Sequence, residues 1–231
     1  MAQPTKAYIL RISNENSKEY AQICADSCFD VGLDPVYFEG YEKMTGRAAW
    51  LQTGIKMKFH EDYKYIENPP PGEKAECCSA GHAHIWKTIA EGEDECAIIL
   101  EHDAVMLHPV TVDIPEMTIV VLGYKVNNPS DYNHQKAGPP TELISIDGHE
   151  GAHAYAMTKK TAQFLVDEIE QKGNLGCIDN AYFIRHQRRT EARLVIASPT
   201  PALGWLREST IWHASANRNY SFIPSFQENY K

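Results

Sequence analysis

Cys96-Ala97-Ile98-Ile99-Leu100-Glu101-His102-Asp103 is an apolar run that stops at two carboxylates with one residue between them. Five apolar positions in succession, two of them β-branched, read as a strand buried on both faces, as in a mostly parallel sheet. The carboxyl end of such a strand opens onto the crevice where α/β sheets bind ligands. On an extended segment Glu101 and Asp103 would point the same way. Two convergent carboxylates repel unless a cation lies between them, and oxygen donors favour a hard divalent ion, Mn²⁺ or Mg²⁺. The plainer reading is a strand that ends in two solvated acids.

The flanking segments set this strand in an α/β chain. Before it, His82, Ile85, Trp86 and Ile89 form a helical stripe that Gly92 closes, giving an αβ unit. Residues 7–12 read as a first strand, and a helix follows with Ser17 as its N-cap and Gly32 as its stop. A second strand over 36–39 completes a βαβ pattern, which implies a parallel sheet. Residues 41–65 are mixed, and Asn68-Pro69-Pro70-Pro71-Gly72 is a rigid break. Further strands are expected over 117–122, 152–157 and 194–197. Helices are expected from Thr158, with Gly173 just beyond the end, and over 178–186. Residues 123–140 read as a long polar loop of the kind that forms lids. No repeat or linker is visible. The expected architecture is one α/β domain over residues 1–231, a mostly parallel central sheet flanked by helices, with 198–231 wrapping over it as a tail.

Composition narrows the class. The 231 residues are 43% hydrophobic and 23% charged, as in an ordinary globular protein with a sizeable core. A formal charge of −9 argues against general nucleic-acid binding. Arg185, Arg188, Arg189 and Arg193 form one basic cluster, read first as a solvated helix face and second as an anion site. The sequence shows no signal peptide and no apolar run long enough for a membrane span, so a soluble, cytoplasmic protein is expected. The six cysteines are expected as free thiols. Cys77 and Cys78 precede His82 and His84, but adjacent cysteines do not easily share one tetrahedral ion and no second CxxC exists, so zinc is not expected.

Four groups could carry chemistry: Glu101-His102-Asp103, the helix segment from Gly81 to Lys87, Gly151-Ala152-His153-Ala154-Tyr155, and Asp179 together with His213. Each also has a purely structural reading. His82 on an apolar stripe suits a hydrogen-bonded core histidine, Trp86 suits the core, His153 a backbone contact, and Asp179 a helix cap.

Their order along the chain resembles glycosyltransferase family 25, which contains lipopolysaccharide and procollagen galactosyltransferases. Family strands of the type Y-x-I-N-L resemble Tyr8-Ile9-Leu10-Arg11-Ile12, and a helix opening G-C-x-x-S-H-x-x-x-W resembles Cys77-Cys78-Ser79-Ala80-Gly81-His82 leading to Trp86. L-E-D-D-A resembles Leu100-Glu101-His102-Asp103-Ala104, G-T-H-A-Y resembles Gly151 to Tyr155, P-x-D resembles Cys177-Ile178-Asp179, and S-D-I resembles Ser209-Thr210-Ile211. Gly81 stands where the family has serine, Cys77 where it has glycine, and His102 where it has the middle acid; the first strand lacks the family's Asn.

The resemblance implies a GT-A-like fold and a metal-dependent inverting glycosyltransferase. Such an enzyme moves a sugar, expected to be a hexose, from a nucleotide-diphosphate donor to an acceptor hydroxyl. It implies Asp103 as metal ligand, Glu101 as second ligand or ribose contact, and His213 returning to complete the metal site, with Mn²⁺ or Mg²⁺ as cofactor. Arg11, His82, His102 and His153 are expected near the donor. Asp179 is the expected general base, with Glu150 as runner-up. The acceptor is left open among glycan, lipopolysaccharide core, a protein hydroxyl or a nucleic-acid base. Two alternatives stand beside this: a metal-dependent hydrolase built on histidines, and a glycosyltransferase fold kept as a non-catalytic binding protein.

Overall fold

The computed structural model describes residues 3–57, 72–125, 137–149, 151–173 and 177–204. A central sheet of seven strands runs in the order β2-β1-β3-β8-β5-β9-β7. Its strands are β1 (Lys6–Arg11), β2 (Asp34–Glu39), β3 (Cys96–Glu101), β5 (Thr118–Val121), β7 (Glu142–Ser145), β8 (Ala154–Thr158) and β9 (Arg193–Ser198). Parallel pairing joins β1 to β2, β1 to β3 and β5 to β9. The strands β8 and β7 run against the rest. The sheet is therefore mostly parallel in direction but mixed in pairing. Alternation and apolar content identify a strand without encoding its direction, which is why β8 was legible and its antiparallel course was not. A second sheet of three short strands, β4 (Ala104–Met106), β10 (Ala202–Gly204) and β6 (Gly123–Lys125), lies in the order β4-β10-β6. Of the long loop expected over 123–140, the first three residues are thus strand β6, and 126–136 lie outside the described residues.

Helices cover both faces of the large sheet. On one face α1 (Glu15–Asp30) lays Ala21, Cys24, Ala25 and Cys28 against Ala7, Ile9, Ile98 and Leu100. On the other, α2 (Gly46–Gln52), α3 (Glu73–Glu91) and α4 (Lys159–Lys172) pack with Tyr8, Leu10, Ile99, Tyr155 and Met157. The period-2 alternation of each strand divides its residues between the two cores. Five consecutive buried residues in β3 follow from having helices on both sides.

Local signals place the helix ends. Thr158 accepts from the backbone N–H of Thr161 at the start of α4, and Gly173 closes it at φ 74°, a region glycine enters without strain. Gly92 closes α3. The N-cap of α1 is Asn14, whose side chain accepts from Asn16; Ser17 lies inside the helix and its Oγ accepts from Ile12 N–H instead. The helix expected over 178–186 is a π-helical segment, Asp179–Ile184, followed by the short α5 (His186–Arg189). Arg189, expected on a solvated face, is buried; its guanidinium donates to Tyr182 Oη at 3.1 Å and to the Gly173 carbonyl at 2.5 Å. All six cysteines are free thiols. Among the described residues no helix is long and apolar enough to cross a membrane.

Candidate functional site

The site lies where β3 ends beside α3. In β3, Ala97 and Ile99 face the core shared with α3 and α4, while Cys96, Ile98 and Leu100 face α1. The next residue in the first series is Glu101, so alternation carries its carboxylate to the α3 side. There it meets His82, whose Nε2 lies 3.3 Å from Glu101 Oε1. His82 is wholly buried, whereas the Glu101 side chain keeps 26% of its surface exposed. The other imidazole nitrogen, Nδ1, lies 2.9 Å from Tyr155 Oη, and Trp86 Nε1 donates to the same hydroxyl at 2.8 Å. Tyr155 comes from β8, opposite Ile99 in the sheet register.

One proton arrangement satisfies the whole chain of bonds. Trp86 N–H donates to Tyr155 Oη, the Tyr155 hydroxyl donates to His82 Nδ1, and His82 Nε2–H donates to the Glu101 carboxylate. Burial by itself pushes the Glu101 carboxyl up. Burial is the largest single influence, but the His82 hydrogen bond and the charge interactions with His82, His153 and His102 together exceed it, and the carboxyl is held below its ordinary value. Burial also pushes the Tyr155 phenol well above its usual range. The Trp86 N–H opposes that shift, and the nearby Glu101, Cys78 and Asp179 reinforce it.

Cys78 joins this group from one turn earlier on α3. With spacing i, i+4 to His82 it shares the same helix face, and one ligand atom from each of Cys78, His82 and Glu101 lies within 4.8 Å of the others. Burial raises the Cys78 thiol well above its ordinary value, and the negative charges of Glu101 and Asp179 add to this. Asp179 is therefore within electrostatic reach of both Cys78 and Tyr155. Its segment is tied down next door, where Ile178 N–H donates to the buried Ser79 Oγ at 2.9 Å. Asp179 opens the π-helical segment, a distortion often found at functional sites.

The remaining expected residues fall in several places. Strand β3 ends at Glu101, and residues 102 and 103 form a turn before β4. The turn, and not strand alternation, thus sets the relative direction of Glu101 and Asp103. Asp103 acts electrostatically on Cys24 of α1, and the ring of His102 stacks with Tyr20 of the same helix at a centroid distance of 6.1 Å. His153 is buried; its carbonyl accepts from Glu101 N–H at 2.9 Å. Gly204 of β10 lies so close to the His153 imidazole that a Cβ there would stand 2.5 Å from Cδ2. Arg11 ends β1, where its guanidinium pairs with Glu39 at 2.7 Å and covers the Tyr37 ring at 3.9 Å. Glu150 and His213 lie outside the described residues.

Two features of the helix bear on the sequence motifs. Gly81, where the resembled family has serine, crosses Leu10 of β1 so closely that a Cβ would stand 3.0 Å from Leu10 Cδ1. His84, two residues beyond His82, turns elsewhere and lies 2.7 Å from Tyr41 Oη. The two histidines diverge, which disfavours a hydrolase centre built on both.

The sequence raised Cys78 beside His82 only as part of a zinc set that was not expected, and it assigned no role to the Tyr155 hydroxyl. The i, i+4 spacing of Cys78 and His82 was a usable signal for the first. The second depends on the pairing of β3 with β8, which no local pattern encodes. As for a metal, Glu101 and Asp103 carry oxygen donors, the type a hard cation takes, but among the described residues they do not fall in one donor cluster. The donors within reach of Glu101 on the α3 side are a sulfur and an imidazole nitrogen, a set that suits a softer ion.

No family model matches the chain, and no curated protein matches it. Its fold is similar to that of several solved glycosyltransferase structures. An active-site mutant of LgtC is 9% identical over 97% of this chain and 95% of its own, with a TM-score of 0.49. GlyE of Streptococcus pneumoniae TIGR4 is 9% identical, covering 100% of this chain and 65% of its own, with a TM-score of 0.43. A glycosyltransferase involved in glycosylation of the major capsid of PBCV-1 is 10% identical over 88% of this chain and 95% of its own, with a TM-score of 0.40. These three scores lie below 0.5.

Proposed function

We propose that this chain is a glycosyltransferase that moves a hexose from a nucleotide-diphosphate donor to an acceptor hydroxyl with inversion, residues 1–231 acting as one domain. The observation that supports this reading is the contact of His82 with Glu101 where β3, inside a mostly parallel sheet, ends, with Asp179 near enough to act electrostatically on the adjacent Cys78. Ligands of open α/β sheets bind at the carboxyl ends of the strands.

In the proposed reaction the acceptor oxygen attacks the anomeric carbon while the bond from that carbon to the diphosphate oxygen breaks. The acceptor proton passes to a carboxylate, for which Asp179 is the first choice and Glu150 the second. The leaving diphosphate carries away the electron pair. Mn²⁺ or Mg²⁺ held by Asp103 with Glu101 and His213 would supply positive charge against that leaving group. Arg11, His82, His102 and His153 would line the donor side, with His82 orienting Glu101. A sugar-bearing hydroxyl, in a glycan or lipopolysaccharide, is the proposed acceptor, and the cytoplasm the proposed compartment.

A thermal-shift screen of nucleotide sugars with and without Mn²⁺ tests the reading. A donor at a hundredfold excess over its dissociation constant should stabilise the fold by roughly 2.7 kcal/mol. Asp103→Asn should abolish metal-dependent transfer while the unfolding transition stays cooperative, and full activity in that variant would end the metal assignment. Asp179→Asn with near-normal turnover would remove Asp179 as the base.

A further inference from the structure

We propose that Cys78, His82 and Glu101 form a binding site for a borderline-soft divalent ion of the Zn²⁺ type. The case against zinc in this stretch concerned the adjacent Cys77 and Cys78, which cannot readily share an ion. The structure supplies a different third ligand, from strand β3. Cys78 and His82 stand one helical turn apart on α3, and the Glu101 carboxylate meets them from the end of β3. All three donor atoms lie within 4.8 Å of each other.

The geometry is close to what an ion requires. Zinc bonds to sulfur at about 2.3 Å and to nitrogen and oxygen at about 2.0–2.2 Å, so tetrahedral ligands lie roughly 3.3–3.6 Å apart. His82 Nε2 and Glu101 Oε1 are already at 3.3 Å. A modest approach of the Cys78 side chain completes three corners. Three protein ligands leave the fourth corner open for water or substrate, as in catalytic zinc sites. The part-exposed Glu101 and half-buried Cys78 give the ion a way in.

The surroundings of His82 support ligation. A ligating histidine has its second ring nitrogen held by another group, which fixes the tautomer. With Nε2 on a metal, Nδ1–H donates to Tyr155 Oη, and the same oxygen accepts from Trp86 Nε1–H. A phenol oxygen has two lone pairs, so both bonds are satisfied. Asp179 adds negative charge near the Cys78 thiol. Sulfur and imidazole nitrogen select Zn²⁺ or Co²⁺ over Mn²⁺, which prefers all-oxygen sets.

Co²⁺ is the probe, because a thiolate bound to it gives a charge-transfer absorption. The full chain, stripped with chelator and titrated with Co²⁺ without donor or acceptor, should show that absorption at one equivalent, and Zn²⁺ should displace it. Cys78→Ser should abolish the band, and Glu101→Gln should weaken binding on the order of tenfold or more. Cys24→Ser, on the opposite face of the sheet, should keep the wild-type spectrum. The proposal is overturned if the wild-type protein shows no charge-transfer band, if the band survives Cys78→Ser, or if Mn²⁺ competes as well as Zn²⁺. Should Cys78→Ser lose its cooperative unfolding transition, Glu101→Gln decides, and wild-type affinity in that variant rejects the site. Because the spectrum needs no sugar, failure here leaves the transferase reading standing, and failure of transfer leaves this site standing.

Discussion

The two faces of the central sheet solve the same packing problem with different side chains. Towards α1, β1 presents Ala7 and Ile9, β8 presents Ala154 and Ala156, and the helix answers with Ala21, Cys24, Ala25 and Cys28. The helix and β8 contribute small groups here, between aliphatic side chains such as Ile9, Ile98 and Leu100, and let α1 sit close. Towards α3 and α4 the same strands present Tyr8, Leu10, Tyr155 and Met157, met by Trp86, Tyr182 and Phe183. The larger residues leave room to bury a connected polar group, running from Trp86 through Tyr155 and His82 to Glu101. A buried polar chain costs little while every member has its partner, and far more once one is removed. One face is thus a packing surface, and the other couples packing to the site.

The largest test of that contrast is truncation of the shared anchor. Trp86 is wholly buried, contacts Tyr182 edge-on at a centroid distance of 5.0 Å and donates to Tyr155. Trp86→Ala should destabilise the fold by about 3–5 kcal/mol, measured by urea unfolding. Cys28→Ala, an equally buried position on the α1 face, should cost only about 1 kcal/mol. Similar losses in the two variants would erase the distinction between the faces.

Tyr155→Phe sharpens the same contrast at nearly constant volume. It deletes one oxygen and leaves Trp86 Nε1 and His82 Nδ1 without the hydroxyl that both contact. A loss of about 1–3 kcal/mol for each stranded buried group is expected. A near-neutral result would mean that packing, not the hydrogen-bonded chain, holds this face together.

The sequence was most informative where a single local rule governs a segment. The apolar run of β3, the Trp86 stripe of α3 and the Thr158 and Gly173 boundaries of α4 are each written in a few adjacent residues. Short elements were harder to see: α2 is seven residues long, and β4, β6 and β10 are three each, too short for periodicity to show. The meeting of His82 with Glu101 was legible in outline, because the helix feeds directly into the strand. The place of Tyr155 was not, since it is fixed by the register of β8 on β3, more than fifty residues away in sequence. The proximity of Glu101 and Asp103 was inferred from extended backbone, and the turn after Glu101 removes that premise.

The smallest expected effect is a pH dependence confined to the α3 face. Folding holds the Glu101 carboxyl below its ordinary value of 4.5, so the folded chain favours the ionised form more than the unfolded chain does. The resulting stability is fully present above that ordinary value and is lost as pH falls through the lower folded one. Glu101→Gln keeps an oxygen that can accept from His82 Nε2–H but has no carboxyl to titrate. In urea unfolding from neutral pH downwards, the wild-type protein should lead the variant above about pH 5 and lose that lead on acidification. Cys28→Ala, which removes no carboxyl group, should keep a constant offset from wild type over the same range. A pH-independent difference for Glu101→Gln would mean that the carboxylate contributes to this face through shape alone, and that its charge is free to serve a bound cation.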